Sequence, residues 1–206
     1  MKALVLIDIQ NDFLPGGALA VPDGDAIIPV VNQIQECFDL VVATQDWHPQ
    51  EHKSFASSHP GTKVFETIQL NGLSQVLWPD HCLQGSYGAA LSDAVTWLKT
   101  EAIFRKGTDL EIDSYSGFYD NGHLKSTGLG NYLRGKGIKE VYVAGLAADY
   151  CVFYTAKDAL AEGFSTILIH DATRAISNEG FRKAKLELSK MGGKIIRSDD
   201  LRGSNT

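Results

Sequence analysis

Close to its first residue the chain reads Ala3-Leu4-Val5-Leu6-Ile7-Asp8. Five consecutive apolar residues are typical of a strand covered on both faces, as in the middle of a parallel sheet. Residues 2–9 are therefore predicted to form a strand. Asp8 lies near its carboxyl end, which is the edge where such sheets bind their ligands.

Apolar runs and helical patterns alternate along the rest of the chain, and Asn178 is the predicted N-cap of the last helix. Strands are predicted at 2–9, 39–44, 102–105, 140–146, 166–170 and 194–197, and helices at 25–38, 91–98, 127–134, 149–162 and 178–191. This alternation predicts an α/β fold with a doubly wound, mostly parallel six-stranded sheet. Helices on both faces would give it three layers, as in Rossmann-like proteins.

The 206 residues fit a single domain, predicted at 1–206. The segment at about 45–100 interrupts the alternation and carries four of the six histidines. A long connection with this chemistry is more often functional than filler, so it is predicted as a metal-binding and substrate-binding insertion. Residues 202–206 are predicted to be a frayed tail.

The formal net charge is −6 and the sequence pI is about 5.5. Such a surface does not attract nucleic acid or anionic membranes, so neither is predicted as a partner, and a small-molecule substrate fits better. The apolar run at 3–9 is too short for a signal peptide, and the three cysteines form no even disulfide framework, which predicts a cytoplasmic location. No glycine-rich phosphate loop follows the first strand, which argues against a nucleotide cofactor.

Four polar side chains follow four predicted strands: Asp8, Asp46, Lys106 and Cys151. Cys151 lies near a helix N-terminus, which lowers a thiol pKa and favours a nucleophile, although a buried structural cysteine is the alternative. Asp8 is a candidate general base or a cap for the next loop. Lys106 is a candidate partner of the Asp8 carboxylate and the Cys151 thiolate, or an ordinary surface lysine. The carboxyl ends of parallel strands meet at one edge, which favours the catalytic interpretation.

Asp46 and His48 are separated by one residue, so their side chains can converge on one ion when the backbone is extended. His81, from a distant part of the insertion, is the candidate third ligand. Mixed imidazole and carboxylate ligation suits Zn²⁺, Fe²⁺ or Mn²⁺. His52 and Cys82 lie nearby in sequence and could compete as ligands.

Phe13, Leu19, Trp78 and Tyr115 lie in the same loop regions. Such residues commonly pack a lid, but beside a metal they can hold a flat ring.

Five segments together resemble the nicotinamidases (pyrazinamidases) of the isochorismatase-like superfamily. The resemblance extends in order from Asp8 to Thr173. The matching segments are 8–13 (DIQNDF), 45–49 (QDWHP) with His52, Ser54 and Phe55, 78–82 (WPDHC), 105–107 (RKG) and 145–152 (GLAADYCV).

The resemblance implies a catalytic triad of Asp8, Lys106 and Cys151, and an oxyanion hole made by the N–H groups of Ala147 and Cys151. It also implies a cis peptide between Leu146 and Ala147. The implied substrate pocket consists of Phe13, Leu19, Trp78, Tyr115 and Ala147. One divalent metal ion would be bound by Asp46, His48 and His81, with His52 at the position of an additional histidine ligand found in some members. Zinc is the first candidate, with iron and manganese as alternatives.

The implied reaction is hydrolysis of nicotinamide to nicotinate and ammonia through a Cys151 thioester, in NAD salvage, with the pyridine nitrogen on the metal. Pyrazinamide would likewise give pyrazinoate. The superfamily also leaves room for a homo-oligomer. Two alternatives stay open: an enzyme of the same superfamily acting on another small amide or on isochorismate, and a metal-dependent binding protein without catalysis. Isochorismatases lack this metal set and nucleophile, which argues against that alternative.

Overall fold

The computed structural model describes residues 1–201, and the predicted tail at 202–206 lies outside them. The strands are β1 (Lys2–Ile7), β2 (Leu40–Asp46), β3 (Thr67–Leu70), β4 (Leu73–Val76), β5 (Thr100–Lys106), β6 (Glu140–Leu146), β7 (Ser165–Arg174) and β8 (Lys194–Ile196). Six of them form one parallel sheet in the order β5-β2-β1-β6-β7-β8. The predicted α/β fold class is confirmed.

The α-helices are α1 (Ile28–Ile34), α2 (Leu129–Gly135), α3 (Cys151–Ala161) and α4 (Asn178–Lys190). Leu4 and Leu6 of β1 pack into the cluster that includes α1, whereas Ala3, Val5 and Ile7 pack into the cluster that includes α2, α3 and α4. Since neighbouring side chains of a strand point to opposite faces, β1 contributes to both cores. Across residues 1–201, no helix combines the length and apolar character needed to cross a membrane.

The helix predicted at 91–98 is wrong, because this segment consists of bends and turns. The backbone groups of Ala94 and Thr96 bond to side chains of residues 32 and 35, and the Val95 N–H makes a turn-like bond to the Ser92 carbonyl at 3.2 Å. Asn32 Nδ2 donates to the Ala94 carbonyl at 3.0 Å, and Asn32 Oδ1 accepts the Thr96 N–H at 2.8 Å. Gln35 Nε2 donates to the Thr96 carbonyl at 2.9 Å. These contacts come from residues far away in sequence, which helical periodicity does not detect.

Several boundaries also differ from those predicted, and the helix predicted at 25–38 is α-helical only over Ile28–Ile34, with 3-10 turns on either side. β7 continues from the predicted end at residue 170 to Arg174, and Thr173 pairs with Gly145 of β6. The N-cap of α4 is Ser177 rather than Asn178, since Ser177 Oγ accepts the Gly180 N–H at 3.1 Å.

The insertion contains an antiparallel hairpin of β3 and β4, which the periodicity missed. Asn71 and Gly72 form its turn with φ of 51° and 81°. An Asn-Gly pair is the strongest short sequence signal for a hairpin, because both residues tolerate positive φ. The sequence therefore contained this signal, although the flanking strands are only four residues long.

Candidate active site

The carboxyl edge of the sheet brings the candidate residues together. Asp46 and Lys106 are the last residues of β2 and β5, and Asp8 follows β1 directly. Cys151 is the first residue of α3, five positions after Leu146, where β6 ends and the cis peptide to Ala147 begins. Because β1 lies between β2 and β6, these positions are neighbours at one edge, as the sequence predicted.

Asp8, Lys106 and Cys151 form one buried group. Lys106 Nζ lies 2.8 Å from Asp8 Oδ2 and 3.4 Å from Cys151 Sγ. The other carboxylate oxygen of Asp8 accepts the Thr44 hydroxyl at 2.6 Å. Asp8 has a φ of 47°, a left-handed conformation uncommon for a residue other than glycine. The positions match the predicted triad, with Thr44 as an additional partner.

Burial dominates the titration of this group. It raises the pKa of the Cys151 thiol well above its ordinary value, and Lys106 opposes only part of that effect. Burial likewise raises the pKa of the Asp8 carboxyl, against the influence of Lys106. The expectation that the helix N-terminus lowers the thiol pKa is therefore wrong for this structure, since burial outweighs it. Asp8, which shares the Lys106 ammonium with this thiol, is the candidate acceptor for its proton.

Lys106 connects this group to the candidate metal ligands. Its ammonium lies 2.6 Å from Asp46 Oδ1 and donates to the Ser114 carbonyl at 2.9 Å, in addition to its contact with Asp8. Burial lowers the pKa of Lys106, but Asp46 and Asp8 outweigh it and hold that pKa well above its usual value. Burial likewise opposes the charged form of Asp46, yet Lys106 and His48 hold its pKa well below the usual range. The lysine and the Asp46 carboxylate therefore both stay charged.

Asp46, His48 and His81 form a donor set that fits a divalent metal. The Nε2 atoms of His48 and His81 lie 3.5 and 3.8 Å from Asp46 Oδ2. Their Nδ1 atoms lie 3.0 and 2.8 Å from the carbonyl oxygens of Gly107 and Pro79. Nδ1 therefore carries the proton in each neutral ring, which leaves the Nε2 lone pair free for a metal. His48 Nε2 is also buried without a hydrogen-bond partner.

His52 lies beside these candidate ligands, but its ring nitrogens have different hydrogen-bond partners. Its Nδ1 accepts the Ser54 N–H at 3.1 Å and lies 2.7 Å from Ser54 Oγ. In the neutral ring the proton is therefore on Nε2, which then has no lone pair for a metal. The Nε2 atoms of His48 and His81 are better arranged as ligands, and His52 as an additional ligand stays a prediction.

A pocket opens above Cys151 and Asp46. The five residues predicted for the substrate, Phe13, Leu19, Trp78, Tyr115 and Ala147, all line it. The Trp78 indole N–H donates to the Tyr115 hydroxyl at 3.3 Å, which fixes two walls relative to each other. Phe13 meets His81 edge-on with ring centroids 5.5 Å apart. An aromatic enclosure beside an imidazole pair suits a flat heteroaromatic ring.

Three further pocket residues were not predicted: Asp113, Tyr150 and Ile176. Tyr150 packs edge-to-face against Trp78, with ring centroids 4.8 Å apart. Its position directly before Cys151 could have indicated from the sequence that it lies at the site. Ile176 reaches the pocket because Asp149 Oδ1 accepts its N–H at 3.0 Å, a contact that sequence spacing does not show. Asp113 comes from the loop after β5 and has no sequence pattern that marks it.

The two residues that the resemblance implies for an oxyanion hole, Ala147 and Cys151, both line the pocket. The peptide between Leu146 and Ala147 is cis, as predicted. Cys151 opens α3, where backbone N–H groups have no partner within the helix. Ala147 lines the same pocket as the Cys151 sulfur. The two N–H groups are therefore candidates to bind an oxyanion formed beside the thiol.

Comparison with known proteins matches residues 2–200 to the Isochorismatase domain family. A nicotinamidase from Acinetobacter baylyi is 49% identical over 178 residues, covering 86% of this chain and 83% of that protein. The solved structure of a nicotinamidase/pyrazinamidase from Acinetobacter baumanii has a TM-score of 0.95 and 48% identity, covering 97% of each chain. The likeness thus extends over nearly the whole chain.

A pyrazinamidase from Pyrococcus horikoshii was solved in complex with zinc. It has 38% identity and a TM-score of 0.78, covering 95% of this chain and 98% of that one.

Proposed function

Since the chain belongs to the nicotinamidase family of isochorismatase-domain proteins, we propose that it hydrolyses nicotinamide to nicotinate and ammonia, with Cys151 as the nucleophile. Pyrazinamide would be converted to pyrazinoate at the same site. One observation carries the assignment of residues: the Lys106 ammonium contacts Asp8, Asp46 and Cys151 at once, beneath an aromatic pocket.

The first half of the reaction forms a thioester. Asp8 takes the proton from the Cys151 thiol, and Lys106 stabilises the resulting thiolate. The sulfur attacks the carboxamide carbon, and the N–H groups of Ala147 and Cys151 bind the oxyanion. Asp8 then gives its proton to the leaving nitrogen, so that the carbon–nitrogen bond breaks and ammonia leaves. Each oxyanion donor would contribute on the order of a hundredfold or more to the rate.

The second half releases the acid. A water attacks the thioester carbon while Asp8 takes one of its protons. The carbon–sulfur bond then breaks, and the sulfur regains a proton from Asp8. Amide and water are thereby converted to acid and ammonia, with the protein unchanged.

Asp46, His48 and His81 would hold one divalent metal, for which the zinc complex of the Pyrococcus horikoshii relative makes zinc the first candidate and iron or manganese the alternatives. A metal there supplies a Lewis acid beside the pocket, which suits a substrate with a ring nitrogen. The residues themselves orient the ring: Trp78 and Tyr115 form walls, and Phe13 packs against the His81 ligand.

The test measures ammonia release from nicotinamide, pyrazinamide and benzamide, which lacks the ring nitrogen. We expect release from the first two, its loss in Cys151→Ala, and a strong decrease after chelation that zinc restores. Cys37→Ala is the matched control, because Cys37 is a partly buried free thiol that does not line the pocket. Undiminished release by Cys151→Ala would refute the nucleophile, and equal release from benzamide would refute the role of the ring nitrogen.

A further inference from the structure

The segment that follows Asp8 contains two polar side chains that face the candidate metal ligands but lie outside the proposed reaction. Gln10 is fully buried. Its Oε1 accepts the Asp46 N–H at 2.8 Å, and its Nε2 donates to the Asp46 carbonyl at 2.8 Å. Nε2 also donates to the Ala89 carbonyl at 2.9 Å. One amide side chain therefore satisfies both backbone groups of a metal ligand.

Asp12 likewise accepts a backbone N–H, in the loop that carries the candidate ligand His81. Its Oδ2 accepts the N–H of Cys82, the residue directly after His81, at 2.7 Å. Cys82 has a φ of 48°, a conformation that needs support from its surroundings, and its carbonyl accepts the His48 N–H at 3.0 Å. The Asp12 carboxylate thus holds a residue whose backbone joins the His81 loop to the His48 loop, beside a second such bond from the Gln84 N–H to the His48 carbonyl at 2.9 Å.

The remaining contacts of Asp12 fix the pocket wall. Oδ1 accepts the Ala18 N–H at 3.2 Å, and the Asp12 carbonyl accepts the Leu19 N–H at 3.0 Å. The Asp12 N–H donates to the Gly88 carbonyl at 3.0 Å, and a Cβ on Gly88 would overlap the carboxylate. The carboxylate therefore fits closely between the substrate wall and the His81 loop.

We infer that Gln10 and Asp12 are positioning residues that set the Asp46 and His81 ligand loops onto the segment carrying Asp8. This inference rests on the proposed metal site and deepens it. Neither side chain lines the substrate pocket with Cys151. Their loss should therefore act through the metal and the ring that binds beside it.

The experiment compares Asp12→Asn with Asn11→Ala. Asn replaces one carboxylate oxygen with a donor, so the Cys82 and Ala18 N–H groups can no longer both be accepted. Asn11 is the matched control, because its amide leaves the same turn and donates to the Tyr87 carbonyl at 2.9 Å. The measurements are the zinc dissociation constant by chelator competition, KM and kcat for nicotinamide, and the alkylation rate of Cys151 with iodoacetamide.

For Asp12→Asn we expect a zinc dissociation constant weaker by about tenfold to a hundredfold, as for other groups that orient metal ligands. KM should rise more than kcat falls, and the alkylation rate should stay at the wild-type value because Lys106 and Asp8 are untouched. Asn11→Ala should match the wild type throughout. Gln10→Glu, which places an oxygen against the Asp46 and Ala89 carbonyls, should also weaken zinc binding.

Wild-type zinc affinity in Asp12→Asn would overturn the inference, whereas failure of the wild-type protein to bind zinc would overturn the proposed metal site itself. If Asp12→Asn does not fold, Gly88→Ala replaces it, since the added methyl displaces the carboxylate without removing it. Gly88→Ala should then lose zinc affinity, and unchanged affinity in that variant would also overturn the inference.

Discussion

Lys106 is a buried ammonium between two buried carboxylates, Asp8 and Asp46. A buried charge that loses its partner is strongly destabilising, because the desolvation cost is then no longer offset. The lysine therefore has two roles at the same atom. In the proposed reaction it would stabilise the Cys151 thiolate, and it allows both carboxylates to stay in the core.

We expect Lys106→Met to lower the free energy of unfolding at pH 7 by about 3–5 kcal/mol and to abolish ammonia release. Without the lysine, its charge no longer opposes the effect of burial, so the pKa values of Asp8 and Asp46 both rise. The two carboxyls then become neutral on acidification, and the stability deficit should shrink as the pH falls. Urea denaturation at pH 7 and pH 5 measures both effects. Lys99→Met is the control: its ion pair with Glu36 is exposed and contributes about 1 kcal/mol at most. Equal losses in the two variants would contradict this prediction.

His52 provides a separate test by pH. Burial is the main factor that lowers its pKa to about 4, against an ordinary value of 6.5. Between these values the unfolded chain binds a proton that the folded chain does not, so stability falls as the pH drops from 6.5 to 4. The contribution is about 3 kcal/mol. In chelated protein, His52→Gln should remove this part of the acid sensitivity, as measured by the unfolding free energy at pH 7 and pH 4.5. An unchanged difference between the two pH values would contradict the buried neutral ring.

At the scale of residues, the sequence predicted the reactive side chains better than the residues that hydrogen-bond to them or to their loops. Asp8, Lys106 and Cys151 could be placed together because strand ends of a parallel sheet share an edge. Thr44, Gln10 and Asp12 were missed, because their roles depend on how loops approach one another, which no spacing within the chain reports. The charge state of Cys151 was also misjudged, because a helix N-terminus is visible in sequence and complete burial is not.

At the scale of elements, the residue that follows β5 controls the geometry of a candidate metal ligand just beyond the end of β2. Gly107 directly follows Lys106 and has a φ of 63°. A Cβ at this position would overlap the His48 ring. Its carbonyl is also the partner of His48 Nδ1. The glycine therefore permits both the turn and the close approach of the ring.

Gly107→Ala should weaken zinc binding, because the methyl displaces the His48 ring. The added backbone strain is about 1–2 kcal/mol. Gly128→Ala is the matched control: Gly128 also has a positive φ, 91°, but a Cβ there meets no atom within 4 Å. Chelator competition should give weaker zinc affinity in Gly107→Ala than in Gly128→Ala. Equal affinities would mean that the ring tolerates the methyl.

Sequence periodicity predicted some of these elements well and others wrongly. β1 was predicted within two residues because a continuous apolar run has one simple explanation. The segment at 91–98 was misassigned because the Asn32 and Gln35 side chains satisfy its backbone in place of helical bonds. Such a contact overrides a local pattern, and it becomes visible only once the chain is folded.

At the scale of the whole molecule, a metal bound to the folded chain should stabilise it by mass action. At a free zinc concentration about a thousand times the dissociation constant, the gain is about 4 kcal/mol. For a chain of this length that corresponds to a rise in Tm of roughly 8–16 °C. Thermal unfolding with zinc and with chelator should show this difference. His81→Asn should lose most of it, whereas His59→Asn should keep it, because His59 bonds to the Lys53 carbonyl away from the donor set.

A wild-type Tm that does not depend on zinc would contradict the stabilising role of the metal.

The single domain with its insertion at about 45–100, the cytoplasmic location and the homo-oligomer stay predictions. Sedimentation of the purified protein tests the homo-oligomer.

The ribosome adds the site residues in a fixed order, which is the order of their positions along the chain. Cys151 follows β6, so Asp8, Asp46 and Lys106 all leave the ribosome before it. Translation proceeds at about 5–20 residues per second, and β1 gains its neighbour β6 only after residue 140 has been added. A nascent chain therefore contains the imidazoles and carboxylates before it contains this thiol. The Cys151 sulfur is therefore synthesised after the charged groups that lie beside it in the folded protein, Asp8, Asp46 and Lys106.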